Sequence, residues 1–207
     1  METEEYKHKK IETKQTIEYS EILSVIEDLK VSNQYCLLLK RYIKLEQNEE
    51  NKLLQRSLWE SSLVSFFRCF KSGIRKFHLT DNIYSHIKGE TIDFFNYLEN
   101  TRDKHIAHSA NSMSNVLIGI CIDENNDVID TSYMITRHVG ENEHNIDMFI
   151  LLVEEALKHC IEIASKYHND IFQYAKSLSK EEILKLEDLQ YIIPDILKSA
   201  KKNRKQV

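Results

Sequence analysis

Glycine and proline are scarce in this sequence, with four glycines and one proline among 207 residues. Both residues interrupt helices, because proline lacks a backbone N–H and glycine loses the most conformational entropy on folding. A chain with so few of them favours long helices over short strands joined by tight turns. Hydrophobic residues make up 42% of the chain, which is enough for a buried core. The sequence therefore predicts a mainly α protein, an antiparallel helical bundle.

Apolar residues recur at helical spacing along most of the chain. The stretch from Phe77 to Gly89 is mixed, and we expect a connection there with a short turn of helix. Ser179 and Glu182 have the spacing of a capping box, which predicts the start of a last helix. The other predicted helices cover about residues 16–30, 33–46, 52–72, 92–108 and 145–176.

The period changes to that of strands after residue 115. Val116, Ile118 and Ile120 alternate with other residues, and the acidic turn 123–127 precedes a second extended segment. This pattern predicts a small β-hairpin insertion at about residues 115–136. Three regions are therefore expected: a flexible N-terminal lead-in over 1–14, a helical domain over 15–178 that contains the hairpin, and a C-terminal helical arm with a basic tail over 179–207.

Charge and cysteine content restrict the class of protein. The net charge of -5 excludes a generally basic nucleic-acid coat but allows a local cationic patch. The four cysteines are widely spaced, which favours free thiols over disulfides or a zinc site. The first fourteen residues lack the apolar segment of a secretory signal, and no run approaches the roughly 18 apolar residues needed to span a bilayer. We expect a cytoplasmic protein with no membrane association.

The segment from Arg102 to His108 contains the residues for metal-independent RNA cleavage. Such cleavage needs a base with a pKa near ~6.5 for the 2′-hydroxyl proton and a fixed cation for the phosphate. His108 would be the base and Arg102 the cation, since a guanidinium stays charged and binds phosphate oxygens in a fork. Asp103 would orient a histidine or hold Arg102, and His105 would support the pair. The product would be a 2′,3′-cyclic phosphate.

Spacing alone does not decide the function of this segment. An arginine and a histidine six residues apart also fit an exposed helix end, where the helix dipole favours a C-terminal histidine. On spacing alone this second interpretation is favoured. A zinc site is less consistent with the sequence, because His105 and His108 lack a nearby third ligand.

Arg102 to His108, in the wording RDKHIAHS, resembles the R-x(4–6)-H motif of HEPN domains. The preceding helix contains Ser65 to Phe70, which is similar to an aromatic-Arg-Cys-Phe helix of some abortive-infection-like HEPN proteins. The resemblance extends from about residue 20 to residue 175. Arg102 and His108 match the catalytic pair of that family, and Asp103 fits the polar residue that often follows the arginine. The hairpin and the C-terminal arm depart from the minimal HEPN fold.

The resemblance implies a HEPN endoribonuclease whose homodimer forms one composite cleft from two motif helices. It implies RNA as substrate, no cofactor and no metal, and a toxin role in a toxin–antitoxin or anti-phage defence system. An antitoxin or a nucleotidyltransferase would be the partner. The alternative is a catalytically silent HEPN-like protein that dimerises, regulates or binds a nucleotide.

Two further cations are candidates for RNA binding. Lys104 lies within the motif, and Arg68 would either line the cleft or form a salt bridge with a neighbouring glutamate. The aromatic residues Trp59, Phe66, Phe67 and Phe70 are expected in the core, because no basic residues interleave with them as in a base-stacking surface.

Overall fold

The computed structural model describes residues 7–71, 73, 75–106, 115–136 and 141–190. These residues form a mainly helical structure with one small antiparallel sheet, so the predicted fold class is confirmed at this level. The elements are α1 (Lys14–Tyr42), α2 (Glu49–Phe67), a 3-10 helix (Asp81–Tyr84), α3 (Thr91–Thr101), a π-helix (Arg102–Ile106), β1 (Asn115–Ile122), β2 (Val128–Thr136), α4 (Glu143–Ser177) and α5 (Lys180–Lys185).

Helix α1 is continuous where two helices were predicted, which corrects the expected break between residues 30 and 33. Ser32 lies between the two predicted helices. In the structure Ser32 is fully buried, and its hydroxyl donates a hydrogen bond to the backbone carbonyl of Ser62 at 2.9 Å. Because the hydroxyl is satisfied by α2, the helix has no reason to end there.

Helix α2 begins and ends earlier than predicted. Asn48 caps its N-terminus, since the side-chain oxygen accepts a hydrogen bond from the backbone N–H of Asn51. The helix ends at Phe67, whereas the sequence suggested a continuation to residue 72. The short turn of helix expected between residues 77 and 89 is confirmed by the 3-10 helix, and the capping box of α5 is present as predicted.

The chain divides into two compact units. The first comprises Met1–Ile26, Lys71–His78 and Lys158–Val207, and the second comprises Glu27–Phe70 and Leu79–Leu157. In the first unit, Lys10 donates its backbone N–H to the carbonyl of Glu187, and Lys9 forms an ion pair with Asp188 at 2.7 Å. The predicted domain boundaries at residues 14 and 178 stay predictions.

The second unit is built around a cluster of aromatic side chains. Phe66 is fully buried and lies within about 6 Å, ring centre to ring centre, of four other phenylalanines. The prediction that the aromatic residues of α2 belong to the core is therefore confirmed. The cluster, here called the aromatic core, comprises Trp59, Phe66, Phe67, Phe70, Tyr84, Phe95 and Phe149.

The predicted hairpin is also confirmed. Strands β1 and β2 pair antiparallel from Asn115 opposite Thr136 to Ile122 opposite Val128, with a bulge next to Ile122. The connecting turn is closed by the Asp123 carboxylate, which accepts hydrogen bonds from the backbone N–H groups of Asn125 and Asp127. Asn126 has a φ of 65°, a conformation that asparagine tolerates better than most residues.

Candidate functional site

The end of α3 positions the first residue of the sequence motif. Phe95 and Leu98 are buried, so one face of α3 packs against the aromatic core. Thr101, 3% exposed, is the last residue of the helix, and its hydroxyl donates to the carbonyl of Tyr97 at 2.9 Å. Arg102 follows directly, so its backbone is held by a packed helix rather than by a loop.

A second contact fixes α3 near the motif. The hydroxyl of Tyr97 donates a short hydrogen bond to a carboxylate oxygen of Glu141, and the other oxygen accepts one from the Asn145 amide at 2.7 Å. Burial, and then the hydrogen bond to Glu141, raise the pKa of Tyr97 to about 12. Sequence reasoning missed this pair, because the two residues are 44 positions apart and no local motif connects them.

The motif helix changes its winding at Arg102. The sequence predicted an α-helix to about residue 108, but residues Arg102–Ile106 form a π-helix. A π-helix joins residues five apart, so each residue turns by less than the 100° of an α-helix. The angular spacing of an α-helix therefore does not apply to Arg102 and His105. Short π segments occur frequently at functional sites.

The guanidinium of Arg102 is partly buried and oriented by its neighbour. The side chain is 24% exposed, and Nη1 lies 2.6 Å from a carboxylate oxygen of Asp103. Among the described residues, no acceptor binds Nε, although this atom is buried. A buried N–H without an acceptor is unfavourable, so its retention is a feature that calls for a functional explanation. The predicted contact between Asp103 and Arg102 is present, and the supporting role of Asp103 at a catalytic site stays a prediction.

The structure describes the other motif residues only in part. Lys104 is exposed on the π-helix. The backbone of His105 belongs to the same π-helix. His108 lies outside the described residues, so its distance from Arg102 stays untested.

Arg68 lies at the end of α2 and is paired with an acidic residue. Its side chain is 59% exposed, and Nη1 lies 3.5 Å from Asp28, whose side chain is 18% exposed. Of the two alternatives raised by the sequence, the structure contains a salt bridge, but with an aspartate of α1 instead of a glutamate. The RNA-binding role of Arg68 stays a prediction.

The cysteines are free thiols, and three of them are buried. Burial raises the pKa of Cys36 to about 12 and that of Cys160 to about 11, so these two thiols stay protonated and unreactive. Within the described parts of the chain, no group of three or more His, Cys, Asp or Glu side chains could hold a metal ion. None of the described helices combines the length and the apolar character required to cross a membrane.

Comparisons of this chain with family models, with curated proteins and with solved structures found no match. The resemblance to HEPN domains consequently stays a prediction from the motif.

Proposed function

We propose that this protein is a metal-independent endoribonuclease of the HEPN type, in which Arg102 and His108 act on RNA. The observation that carries the proposal is the state of Arg102. Its guanidinium is partly buried and oriented by Asp103, and among the described residues its Nε–H has no acceptor; a histidine follows six residues later. A cation held in this way suits the binding of a phosphate whose charge grows during reaction.

The proposed reaction divides the work between two side chains. The imidazole of His108 removes the proton from the ribose 2′-hydroxyl, and the oxygen attacks the adjacent phosphorus. The bond from phosphorus to the 5′-oxygen breaks and that oxygen takes a proton from water, which leaves a 2′,3′-cyclic phosphate and a 5′-hydroxyl end. Arg102 stabilises the charge on the phosphate oxygens through its forked N–H groups. Asp103 acts as a positioning residue for Arg102, and His105 and Lys104 supply further positive or titratable groups.

The same proposal includes a composite cleft formed by two copies of the chain, with RNA as substrate. A toxin of a toxin–antitoxin or anti-phage defence system in the cytoplasm is the role that we propose for such an enzyme. An antitoxin or a nucleotidyltransferase would then inhibit the enzyme. The mainly helical fold is compatible with a HEPN bundle, and the hairpin and α5 would be additions to that bundle.

Purified protein tests the proposal directly. Incubated with total RNA in excess EDTA, the full chain should produce fragments that end in a cyclic phosphate. His108→Ala should reduce the rate by about 10²–10⁴-fold, the usual contribution of general acid–base catalysis. The exposed His144 on α4 offers a matched control, and His144→Ala should cleave at the rate of the unchanged chain. Cleavage that requires Mg²⁺, or that survives the loss of His108, contradicts the mechanism.

Arg102→Lys tests the forked contact separately from the charge. A lysine keeps the positive charge but cannot bind two phosphate oxygens in the plane of a guanidinium. We expect a loss of about 10²-fold or more in kcat, in the range measured when one donor to a transition-state oxyanion is removed. The melting temperature of the variant, measured alongside, should stay close to that of the unchanged chain.

The ion pair between Arg102 and Asp103 also favours a second candidate function. A carboxylate 2.6 Å from the guanidinium competes with phosphate, which would suit a protein that binds a nucleotide or RNA without cutting it. Such a protein would retain RNA in a filter-binding measurement, show no fragments, and lose binding on Arg102→Ala. An enzyme would show cleavage that falls together with binding.

A further inference from the structure

The hairpin has one face that is apolar and exposed. Residues paired across the two strands lie on the same side of the sheet, and alternate pairs lie on opposite sides. On one side Val116, Ile118, Ile120, Tyr133 and Ile135 are 54%, 76%, 61%, 73% and 43% exposed. This side, which also contains Thr131, is called the Ile118 face.

The opposite side of the hairpin is different in character. It consists of Leu117 paired with Met134, Gly119 with Ser132, and Cys121 with Asp130. Gly119 has no side chain, and a Cβ built there would lie 2.9 Å from the Ser132 hydroxyl oxygen. Only the Ile118 face is therefore a continuous apolar surface.

The exposed area of the Ile118 face is comparable to what a dimer needs. An aromatic side chain offers about 150–250 Å² and the aliphatic ones less, so these exposures leave at most about 600 Å² of apolar surface on each chain. That equals the largest patch on a typical monomer, which is about 300–600 Å². Two such faces in contact would bury roughly 1,200 Å² in total, the lower limit for a specific interface. A two-stranded hairpin alone in water is also only marginally stable, so cover for one face would stabilise it.

The charges of the hairpin indicate what kind of molecule covers this face. Residues 115–136 include Asp123, Glu124, Asp127 and Asp130, but no lysine, arginine or histidine. All four acids lie at or near the turn, and the Ile118 face itself has no charge. A nucleic acid is thereby disfavoured, because it needs cations. The Ile118 face is best covered by another uncharged apolar surface of the same area. The Ile118 face of a second copy of the chain is such a surface.

We propose that two copies of this chain pack their Ile118 faces together about a two-fold axis. The axis lies between the two sheets, runs at right angles to the strands and passes over Ile118 and Tyr133. In this arrangement the acidic turns lie at opposite ends of the interface, so they do not repel each other. A two-fold axis along the strands would bring the eight acids together at one end. The proposed interface is built from hairpin residues alone and does not depend on the nuclease function.

Sedimentation velocity of the full chain at low micromolar concentration tests the interface. The full chain should form a larger assembly than Ile118→Lys: a dimer against a monomer, or, where the composite cleft also pairs two chains, an assembly of more than two chains against a dimer. Ile118→Lys should weaken the hairpin association by about 30-fold or more, as for the loss of a central interface residue. Met134→Lys is the matched control, because Met134 is 64% exposed on the opposite face and should leave the dimer unchanged. A monomeric unchanged chain, a dimer indifferent to Ile118→Lys, or equal weakening by both variants would overturn the proposal.

Cross-linking tests the direction of the axis. Packed sheets lie about 10 Å apart, too far for a disulfide between facing Cβ atoms but within reach of a short bis-maleimide. In a Cys121→Ser background, Ile118→Cys should cross-link to its own counterpart, whereas Val116→Cys should not, since it faces Ile120 of the other copy. A mixture of Val116→Cys and Ile120→Cys chains should cross-link again. Equal self-cross-linking at positions 116 and 118 would contradict the proposed axis.

Discussion

The aromatic core and the hairpin are both rich in apolar residues, yet the first is buried and the second is exposed to solvent. Phe66, Phe67 and Tyr84 are fully buried, whereas Ile118 and Tyr133 are about three-quarters exposed. The aromatic side chains are contributed by α2 and the turn after it, by two shorter elements and by α4, so each ring meets several others. The strands of the hairpin pair mainly with each other. The apolar content of a segment therefore does not by itself determine whether its side chains are buried.

The difference has a physical cause in the shape of the elements. A helix buries a stripe of side chains against several neighbours, and α2 contributes Trp59, Leu63, Phe66 and Phe67 from such a stripe. A two-stranded ribbon has two faces and can bury a face only if another layer lies on it. Substitutions in each region show whether the buried side chains also contribute more to the free energy of unfolding than the exposed ones.

Phe66→Ala should have the largest effect. Removing a ring that contacts four phenylalanines leaves a cavity, and the free energy of unfolding should fall by about 3–5 kcal/mol. Tyr133→Ala on the hairpin is the matched control and should cost less than about 0.5 kcal/mol at concentrations where the chain is monomeric. Urea titration followed by circular dichroism measures both. A loss below about 1 kcal/mol for Phe66→Ala would show that the ring is not central to folding.

Tyr84→Phe separates the polar part of the core from its packing. The Tyr84 hydroxyl is buried and donates to the backbone carbonyl of Leu152 in α4 at 2.9 Å. The substitution keeps the ring and removes one buried hydrogen bond, so the free energy of unfolding should fall by about 1–2 kcal/mol. Tyr133→Phe, whose ring is exposed, should leave it unchanged at concentrations where the chain is monomeric. Equal values for the two variants would mean that the buried hydroxyl gains nothing from Leu152.

Local periodicity predicted the elements of this fold well. The alternation from Val116 to Ile122, the acidic turn and the capping box at Ser179 each depend on residues close in sequence, and each is present. The break in α1 was predicted wrongly, because the hydroxyl of Ser32 is satisfied by Ser62, thirty residues away. Sequence patterns do not contain such distant partners. For the same reason, they could not show that the Ile118 face is exposed.

The candidate site was predictable only in part. The contact between Arg102 and Asp103 joins neighbouring residues and was anticipated from the motif. The π-helix was not anticipated, because the residues Arg102 to Ile106 have no signature that distinguishes it from an α-helix. The bond between Tyr97 and Glu141 joins α3 to the residue pair before α4, and only the folded chain brings the two together.

Tyr97→Phe tests that bond, whose two residues lie on either side of the hairpin in the sequence. The raised pKa of Tyr97, about 12, means that the folded chain holds the phenol proton more tightly than the unfolded chain, where the pKa is about 10. Its stabilising contribution is therefore complete below pH ~10 and is lost as the pH rises to ~12. We expect the unchanged chain to exceed Tyr97→Phe by about 1 kcal/mol at pH ~8, with the difference shrinking above pH ~10.

Urea titrations of both chains across this range measure the difference directly. Tyr133→Phe is the control, because in dilute, monomeric protein an exposed phenol on the hairpin should give a difference near zero at every pH. A gap between the unchanged chain and Tyr97→Phe that widens above pH ~10 would contradict the sign of the pKa shift.

Ile118→Thr should have the smallest effect on an isolated chain. Threonine is β-branched and favours strands as isoleucine does. Because the side chain at position 118 is 76% exposed, the free energy of unfolding in dilute protein should change by less than about 0.5 kcal/mol.

In concentrated protein the melting temperatures of the unchanged chain and of Ile118→Thr should differ. Association stabilises the folded state by mass action, so the melting temperature of the unchanged chain should rise with concentration. That of Ile118→Thr should rise less, because the hydroxyl would be buried in an apolar interface without a partner. Melting temperatures independent of concentration in both chains would place the Ile118 face in solvent and remove the reason for treating the hairpin as half of an interface.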